Sequence, residues 1–169
     1  MIITPKLPIL SLCLLLISTL SSPLYASYEK GVAALSKNQF SKAYKLWLPL
    51  AQKGNTQVQA AIAVMYHTGT GVKQSYKKAF YWYKKAAESG NTAAQANLGV
   101  MYAKGTGTKK DFVKSYAWYN VAADGLPVEK IGSALWGIDY LATQMSTQQI
   151  DKAKKLSKKY LKKYVPKKK

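Results

Sequence analysis

Side chains that could perform acid–base or nucleophilic chemistry are few in this sequence. The 169 residues include one histidine, His67, and seven acidic residues. The acidic residues are Glu29, Glu88, Asp111, Asp124, Glu129, Asp139 and Asp151. Hydrolysis needs a base beside a nucleophile or a pair of carboxylates, and a metal needs several ligands at suitable spacing. No spacing here offers either, so we predict no catalytic residue, no metal site and no cofactor, and an envelope hydrolase is the weakest alternative.

Two glycine-containing segments could bind phosphate through their backbone N–H groups. They are Gly69-Thr70-Gly71 and Gly105-Thr106-Gly107. Neither belongs to a Gly-x-x-x-x-Gly-Lys-Ser/Thr motif or to a Gly-x-Gly-x-x-Gly motif. Because both lie at the same place in a sequence repeat, we interpret them as turns.

The tryptophans Trp47, Trp82 and Trp118 could stack on sugars or bases. All three lie at apolar positions with helical spacing, so we predict that they pack in a core. Tyr81 lies next to Trp82 but is not at one of the core positions given by the helical spacing. It is therefore the best candidate for an exposed aromatic side chain.

Residues 1–26 have the layout of a secretory signal peptide. Lys6 precedes a Leu-rich run over residues 7–20, and the small residue Ala26 precedes the predicted cleavage before Ser27. An uncleaved anchor would need about 20 apolar residues to cross a bilayer, and this run is shorter. We therefore expect export to the periplasm or the medium.

Removal of 26 residues would leave 143, enough for one domain with a usable core. It would also remove Cys13, the one cysteine, so no disulfide, thiolate zinc site or cysteine nucleophile is expected. A lipid-modified cysteine would follow a small residue, whereas Leu12 precedes Cys13, so we do not expect a lipoprotein anchor. Loss of Lys6 lowers the net charge from +19 to +18, which favours anionic partners. Export makes nucleic acid a poor candidate among these.

A repeat with an offset of 36 residues organises the middle of the chain. The first copy contains Gly54-Asn55-Thr56, Val64-Met65-Tyr66, Gly69-Thr70-Gly71, Trp82-Tyr83 and Ala86-Ala87. The second contains Gly90-Asn91-Thr92, Val100-Met101-Tyr102, Gly105-Thr106-Gly107, Trp118-Tyr119 and Ala122-Ala123. A half-unit precedes them. Such a period predicts stacked units that bury their apolar faces against one another.

Apolar residues recur at helical spacing within each unit. The pattern predicts helix pairs at 28–36 and 40–53, 57–68 and 75–89, 93–104 and 111–124, and 128–144 and 147–164. Gly69 and Gly105 can adopt the left-handed conformation that ends a helix. In the last pair, Trp136, Tyr140, Leu141 and Met145 supply apolar positions, and Ser146 or Thr147 can cap the final helix.

The spaced residues of the second copy carry a family resemblance. They are Ala94, Leu98, Gly99, Tyr102, Gly105, Gly107, Ser115, Trp118, Tyr119, Ala122 and Ala123. This pattern resembles the Sel1-like repeat, a relative of the tetratricopeptide repeat; Ala63, Thr108 and Ser115 are conservative departures from it. The resemblance implies an all-α fold, a right-handed α-solenoid of stacked antiparallel helix pairs. It also implies a protein-binding scaffold, often exported in bacteria.

The domain organisation follows from these observations. A signal peptide at 1–26 precedes a solenoid at 27–165, and a basic tail follows at 166–169. The solenoid divides into an N-terminal helix pair at 27–53, repeats at 54–89 and 90–125, and a capping helix pair at 126–165.

The first helix of each repeat is apolar nearly all round, so it is buried on two sides or presents apolar surface to a partner. In the family and its relatives these helices line the concave side, which places six residues toward that groove. They are Ala60, Val64, His67, Ala96, Val100 and Lys104. The alternative is that Val64 and Val100 are simply half-buried.

The segment Asp151–Lys169 contains ten lysines and one acidic residue. Ile150, Ala153, Leu156, Tyr160, Leu161 and Tyr164 keep helical spacing on one stripe, while Lys152, Lys155, Lys159 and Lys163 face outward. The stripe predicts a cap for the stack. The lysines are either a solvated face or an attachment to an anionic surface.

These inferences predict a monomeric, non-catalytic scaffold that binds a protein or peptide in the bacterial envelope or outside the cell. The alternative is a basic electrostatic binder of anionic envelope components, such as lipopolysaccharide or acidic lipid.

Overall fold

A computed structural model of the chain describes residues 23–125 and 132–165. Within these residues it contains eight α-helices and no strand. The helices are α1 Pro23–Ser36, α2 Phe40–Gln52, α3 Thr56–Thr68, α4 Tyr76–Glu88, α5 Thr92–Lys104, α6 Phe112–Gly125, α7 Gly132–Thr143 and α8 Thr147–Tyr164. The predicted all-α solenoid of helix pairs is confirmed.

The helix bounds agree with the sequence periodicity to within a few residues, except at α1. This helix begins at Pro23, whereas the periodicity predicted a start at 28. The predicted cleavage between Ala26 and Ser27 falls within this helix, after its first four residues. Residues 1–22, most of the predicted signal peptide, lie outside the described residues, as do 126–131 and the basic tail at 166–169.

Asparagine and glycine define the ends of the first helix in each repeat. Asn55 accepts a hydrogen bond from the backbone N–H of Val58 at 3.0 Å, and Asn91 accepts one from Ala94 at 2.8 Å. These side chains satisfy N–H groups that a helix start leaves without partners. At the other end, Gly69 and Gly105 have left-handed backbones with φ of 78° and 70°. The predicted helix termination by these glycines is confirmed.

The second glycine of each turn brings one repeat against the preceding one. A Cβ at Gly71 would lie 2.6 Å from the carbonyl carbon of Phe40, the first residue of α2. A Cβ at Gly107 would overlap the carbonyl oxygen of Tyr76, the first residue of α4. The Gly-Thr-Gly segments are therefore structural turns whose second glycine allows backbones of neighbouring repeats to touch.

The helices pack as consecutive pairs, α1 with α2, α3 with α4 and α5 with α6, and the pairs meet through α2–α3 and α4–α5 contacts. One core runs through the stack and includes Trp47, Trp82 and Trp118, which confirms their predicted packing role. Tyr81 is 50% exposed, as predicted.

Two buried glutamines tie neighbouring pairs together, and sequence reasoning did not single them out. The Nε2 atom of Gln59 donates to the carbonyl of Ala51 at 3.0 Å, and that of Gln95 donates to Ala87 at 3.2 Å. The two glutamines are 36 residues apart. The signal available in the sequence was a polar residue repeated at this offset within apolar helices.

The last two helices differ from the predicted capping pair. Helices α7 and α8 each pack against α6 rather than mainly against each other. The rings of Tyr160 and Tyr164 on α8 lie 4.7 Å and 5.4 Å from that of Trp118 on α6. The Tyr164 hydroxyl donates to Glu88 at the end of α4, at 3.4 Å. Aromatic contact with Trp118 thus holds α8 along α6 and leaves one side of α7 uncovered.

Candidate partner-binding groove

The six residues predicted to face the concave side are not gathered into one site. Val64 is 45% exposed and Lys104 is exposed, whereas the other four are half-buried. The half-buried residues are Ala60, His67, Ala96 and Val100. Of the six, Val100 and Lys104 line a groove with a volume of about 410 Å³. We call this the α5–α7 groove, because its walls are α5 and α7 and its base is α6.

Helix α7 supplies two exposed aromatic side chains to the α5–α7 groove. Trp136 is 70% exposed and Tyr140 is 50% exposed. Their rings stack in parallel, with centroids 5.6 Å apart and an angle of 8° between the planes. Single exposed apolar residues are common on proteins, but two stacked aromatic rings beside a groove form a coherent surface for a partner.

Of the four residues predicted to supply the apolar positions here, Leu141 and Met145 are buried, whereas Trp136 and Tyr140 are exposed. The sequence did contain a signal. Trp136 lies 36 residues after Val100, which lies 36 residues after Val64. In all three helices this position reaches solvent, so continuing the repeat offset past residue 125 would have placed Trp136 outside.

Tyr119 on α6 forms the base of the groove between two glycines. A Cβ at Gly99 on α5 would lie 3.1 Å from the Tyr119 ring, and one at Gly137 on α7 would lie 2.9 Å from it. Glycine at both positions lets α5 and α7 approach the ring closely. Burial raises the pKa of Tyr119 above its ordinary value.

Within the described part of the chain, the charged residues that line the groove are both lysines, Lys104 and Lys110. The Lys110 ammonium lies 4.5 Å from the centre of the Phe112 ring, which also lines the groove. The nearby Asp111 is engaged elsewhere: it accepts from the N–H of Lys114 and forms an ion pair with its ammonium at 2.9 Å. The groove is therefore aromatic and apolar with a positive rim.

His67 packs among aromatic rings. Its ring centre lies 5.3 Å from that of Tyr76 and 6.2 Å from that of Tyr83. Its Nδ1 atom is buried and has no hydrogen-bond partner among the described residues. Within those residues, no three His, Cys, Asp or Glu side chains are grouped as metal ligands would be.

Helix α8 separates an inner apolar stripe from an outer charged surface, as its sequence predicted. Ala153 and Ser157 are buried, and the tyrosines of the stripe pack against the core. The exposed lysines are Lys152, Lys154, Lys155, Lys158, Lys159, Lys162 and Lys163. Ser146 caps the helix, with a reciprocal hydrogen bond from its own N–H to Gln149. None of the described helices combines the length and apolar character that crossing a membrane requires.

The family model of the Sel1 repeat matches residues 24–55, 56–91 and 92–125. The chain belongs to the Sel1 repeat family. What the sequence alone indicated as a half-unit before residue 54 is a complete first repeat made of α1 and α2. Helices α7 and α8 lie outside the matched residues. Sel1 repeats generally act as non-catalytic scaffolds for protein–protein interaction.

Two solved structures resemble this Sel1 repeat chain. A protective antigen present in uropathogenic Escherichia coli strains, which displays an SLR fold, matches 88% of the chain with 26% identity and a TM-score of 0.75. A Sel1 repeat protein from Oxalobacter formigenes matches 79% with 30% identity and a TM-score of 0.61. The chain spans 32% of the first protein and 55% of the second. No curated protein matches it.

Proposed function

We propose that this protein is a non-catalytic scaffold that binds a protein or peptide partner after export to the bacterial envelope or the medium. The observation that carries the proposal is the α5–α7 groove, with stacked Trp136 and Tyr140 exposed beside it. Tryptophan and tyrosine are enriched among the residues that dominate binding energy in protein interfaces. The groove is also formed where the repeats end, so a partner can reach it without opening the stack.

A pull-down from envelope extract tests the scaffold. The immobilised chain should retain a partner at both low salt and about 0.3 M salt, because apolar contacts survive screening. Val64→Glu, Val100→Glu and Trp136→Ala should report where the partner contacts the chain: loss in the last two alone assigns it to the groove. Helical circular dichroism of each variant provides the folding control. Turnover of a peptidoglycan or ester substrate that a substitution of His67 abolishes would contradict the proposal.

Export rests on the layout of residues 1–26, where Lys6 precedes an apolar run and the small Ala26 precedes the cleavage point. Mass spectrometry of the mature chain, combined with cell fractionation, tests it. We expect an N-terminus at Ser27 in the periplasm or the medium. Recovery of an intact Met1 in the cytoplasm would overturn this part of the proposal and leave the scaffold itself standing.

The exposed lysines of α8 favour a second candidate, attachment to an anionic surface such as acidic lipid or lipopolysaccharide. Each lysine near an acidic bilayer contributes about 1 kcal/mol at low salt. The test is sedimentation with vesicles that contain acidic lipid. Charge reversal of Lys155, Lys159 and Lys163 should release the chain with the fold intact, and truncation after Pro166 separates the tail. If the parent and the variants bind the vesicles equally, or if the parent does not bind at low salt, α8 has only a capping role.

A further inference from the structure

We propose that the α5–α7 groove takes an acidic segment of a partner protein, in which carboxylates flank one aromatic or aliphatic side chain. This inference rests on the scaffold function proposed above and adds the chemistry of its partner. Two features of the groove, one apolar and one electrostatic, specify this chemistry separately.

The apolar feature is the surface around Trp136 and Tyr140. Because the two rings stack with centroids 5.6 Å apart and both are exposed, their accessible atoms form one contiguous aromatic patch. Val100 and Phe112, both half-buried, continue this surface into the groove, whose volume of about 410 Å³ has room for a large side chain. An aromatic or aliphatic anchor would remove apolar area from water on both partners, which is the dominant favourable contribution to association.

The electrostatic feature is the rim. Lys104 and Lys110 line the groove, and among the residues that the structure describes no acidic side chain lines it. Neither lysine forms an ion pair within the described residues, where the ion pairs are Lys84 with Glu88 and Lys114 with Asp111. A partner carboxylate would meet two ammonium groups without breaking an ion pair, with Lys110 positioned over the Phe112 ring at 4.5 Å. The rim therefore complements acidic groups on either side of the anchor and repels basic ones.

Charge also argues against a second copy of this chain as the occupant. The protein carries a net charge of +19 at pH 7. Two copies would repel each other at long range, and the lysines at the groove would meet a basic surface. An acidic partner would be attracted over the same distances, which raises its rate of encounter.

A selection from a displayed random peptide library on the immobilised full chain tests the inference. Selected peptides are then measured by fluorescence anisotropy at about 0.05 M and about 0.5 M salt, where charges are weakly and strongly screened. We expect peptides with one aromatic or large aliphatic residue between glutamates or aspartates. Trp136→Ala should weaken them at least about tenfold, as for an interface tryptophan that dominates binding.

Matched variants distinguish binding in the groove from nonspecific binding to exposed aromatic side chains or to positive charge. Tyr140→Ala should weaken binding severalfold, whereas Tyr81→Ala should not, although both tyrosines are 50% exposed and Tyr81 also lies beside a lysine, Lys85. Charge reversal of Lys104 and Lys110 should weaken binding on the order of tenfold at low salt and much less at high salt. The same reversal of Lys42 and Lys45, exposed on α2, should have a small effect.

The outcomes distinguish this inference from the scaffold on which it rests. Selected peptides that depend on Trp136 but carry no acidic residues would overturn the partner chemistry and keep the scaffold. If Trp136→Ala leaves the affinity of the selected peptides unchanged, they do not bind in the groove, and the inference is overturned. A dimer in sedimentation that Trp136→Ala dissociates would assign the groove to a second copy. Failure to select any peptide would overturn the inference, and failure of the envelope pull-down as well would overturn the scaffold.

Discussion

Helices α5 and α7 follow the second helix of a pair in the same way, yet they bury different amounts of their apolar surface. Helix α5 packs between α4 and α6 and buries Leu98 and Met101. Helix α7 packs against α6, buries Leu141, and exposes Trp136 and Tyr140. Trp136 and Tyr140 occupy the repeat positions of Val100 and Lys104, which also reach solvent; α7 differs in carrying large aromatic residues there, and α8 packs along α6 without covering them. A repeat array thus gains an accessible apolar surface at the position where pairing stops.

The largest effect on stability is expected from the residue that directs α8. Trp118 is 2% exposed and contacts both Tyr160 and Tyr164. Trp118→Ala should lower the free energy of unfolding by about 3–5 kcal/mol, the range for deleting a buried aromatic side chain. Urea denaturation followed by circular dichroism measures this. A loss below about 1 kcal/mol would mean that the Trp118 contacts do not hold α8 in place.

A smaller effect is expected where two repeats touch. Gly107 has φ of 73°, and a side chain there would overlap the Tyr76 carbonyl. Gly107→Ala combines the cost of a left-handed residue with overpacking, so we expect the free energy of unfolding to fall by about 2–4 kcal/mol. Gly54→Ala is the matched control, because Gly54 is also left-handed but has no atom within 4 Å of the added Cβ. It should lose about 1 kcal/mol. Equal losses would show that repeat contact contributes nothing.

Alkaline pH should destabilise the repeat region through buried tyrosines. Burial raises the pKa of Tyr83 to about 12, and an unfolded tyrosine titrates near 10. Its contribution is present below pH 10 and is lost as the pH rises from 10 to 12, because the unfolded chain then releases the proton first. The free energy of unfolding of Tyr83→Phe should therefore rise by about 2 kcal/mol relative to that of the parent between pH 10 and pH 12. Denaturant titrations at several pH values test this; parallel profiles would contradict it.

The smallest effect on stability is expected at the exposed aromatic pair. Trp136 is 70% exposed, so Trp136→Ala should change the free energy of unfolding by no more than about 0.5 kcal/mol. The contrast with Trp118→Ala is the sharpest test of the comparison between buried and open surfaces. If Trp136→Ala proves as costly as Trp118→Ala in the same urea experiment, Trp136 belongs to the core and the groove loses its main feature.

The sequence predicted most of the fold because the relevant signals are local. Apolar spacing gave the helices, and Gly69 and Gly105 gave their ends, since left-handed backbone at a helix terminus strongly favours glycine. The α5–α7 groove was anticipated only through Val100 and Lys104. Trp136 and Tyr140 were missed because a large aromatic residue at helical spacing has the same pattern whether its face is covered or open.

By itself, the sequence determined the repeat, its period, the core tryptophans and the surplus of lysine, all of which depend on residue types and their spacing. Tertiary structure decided which side of α6 receives α8. That choice depends on the fit of Tyr160 and Tyr164 against Trp118, residues more than 40 positions apart. Local spacing does not encode such a contact. The repeat offset places Trp136 at a position that reaches solvent, whereas packing between distant segments decided that α8 does not cover it.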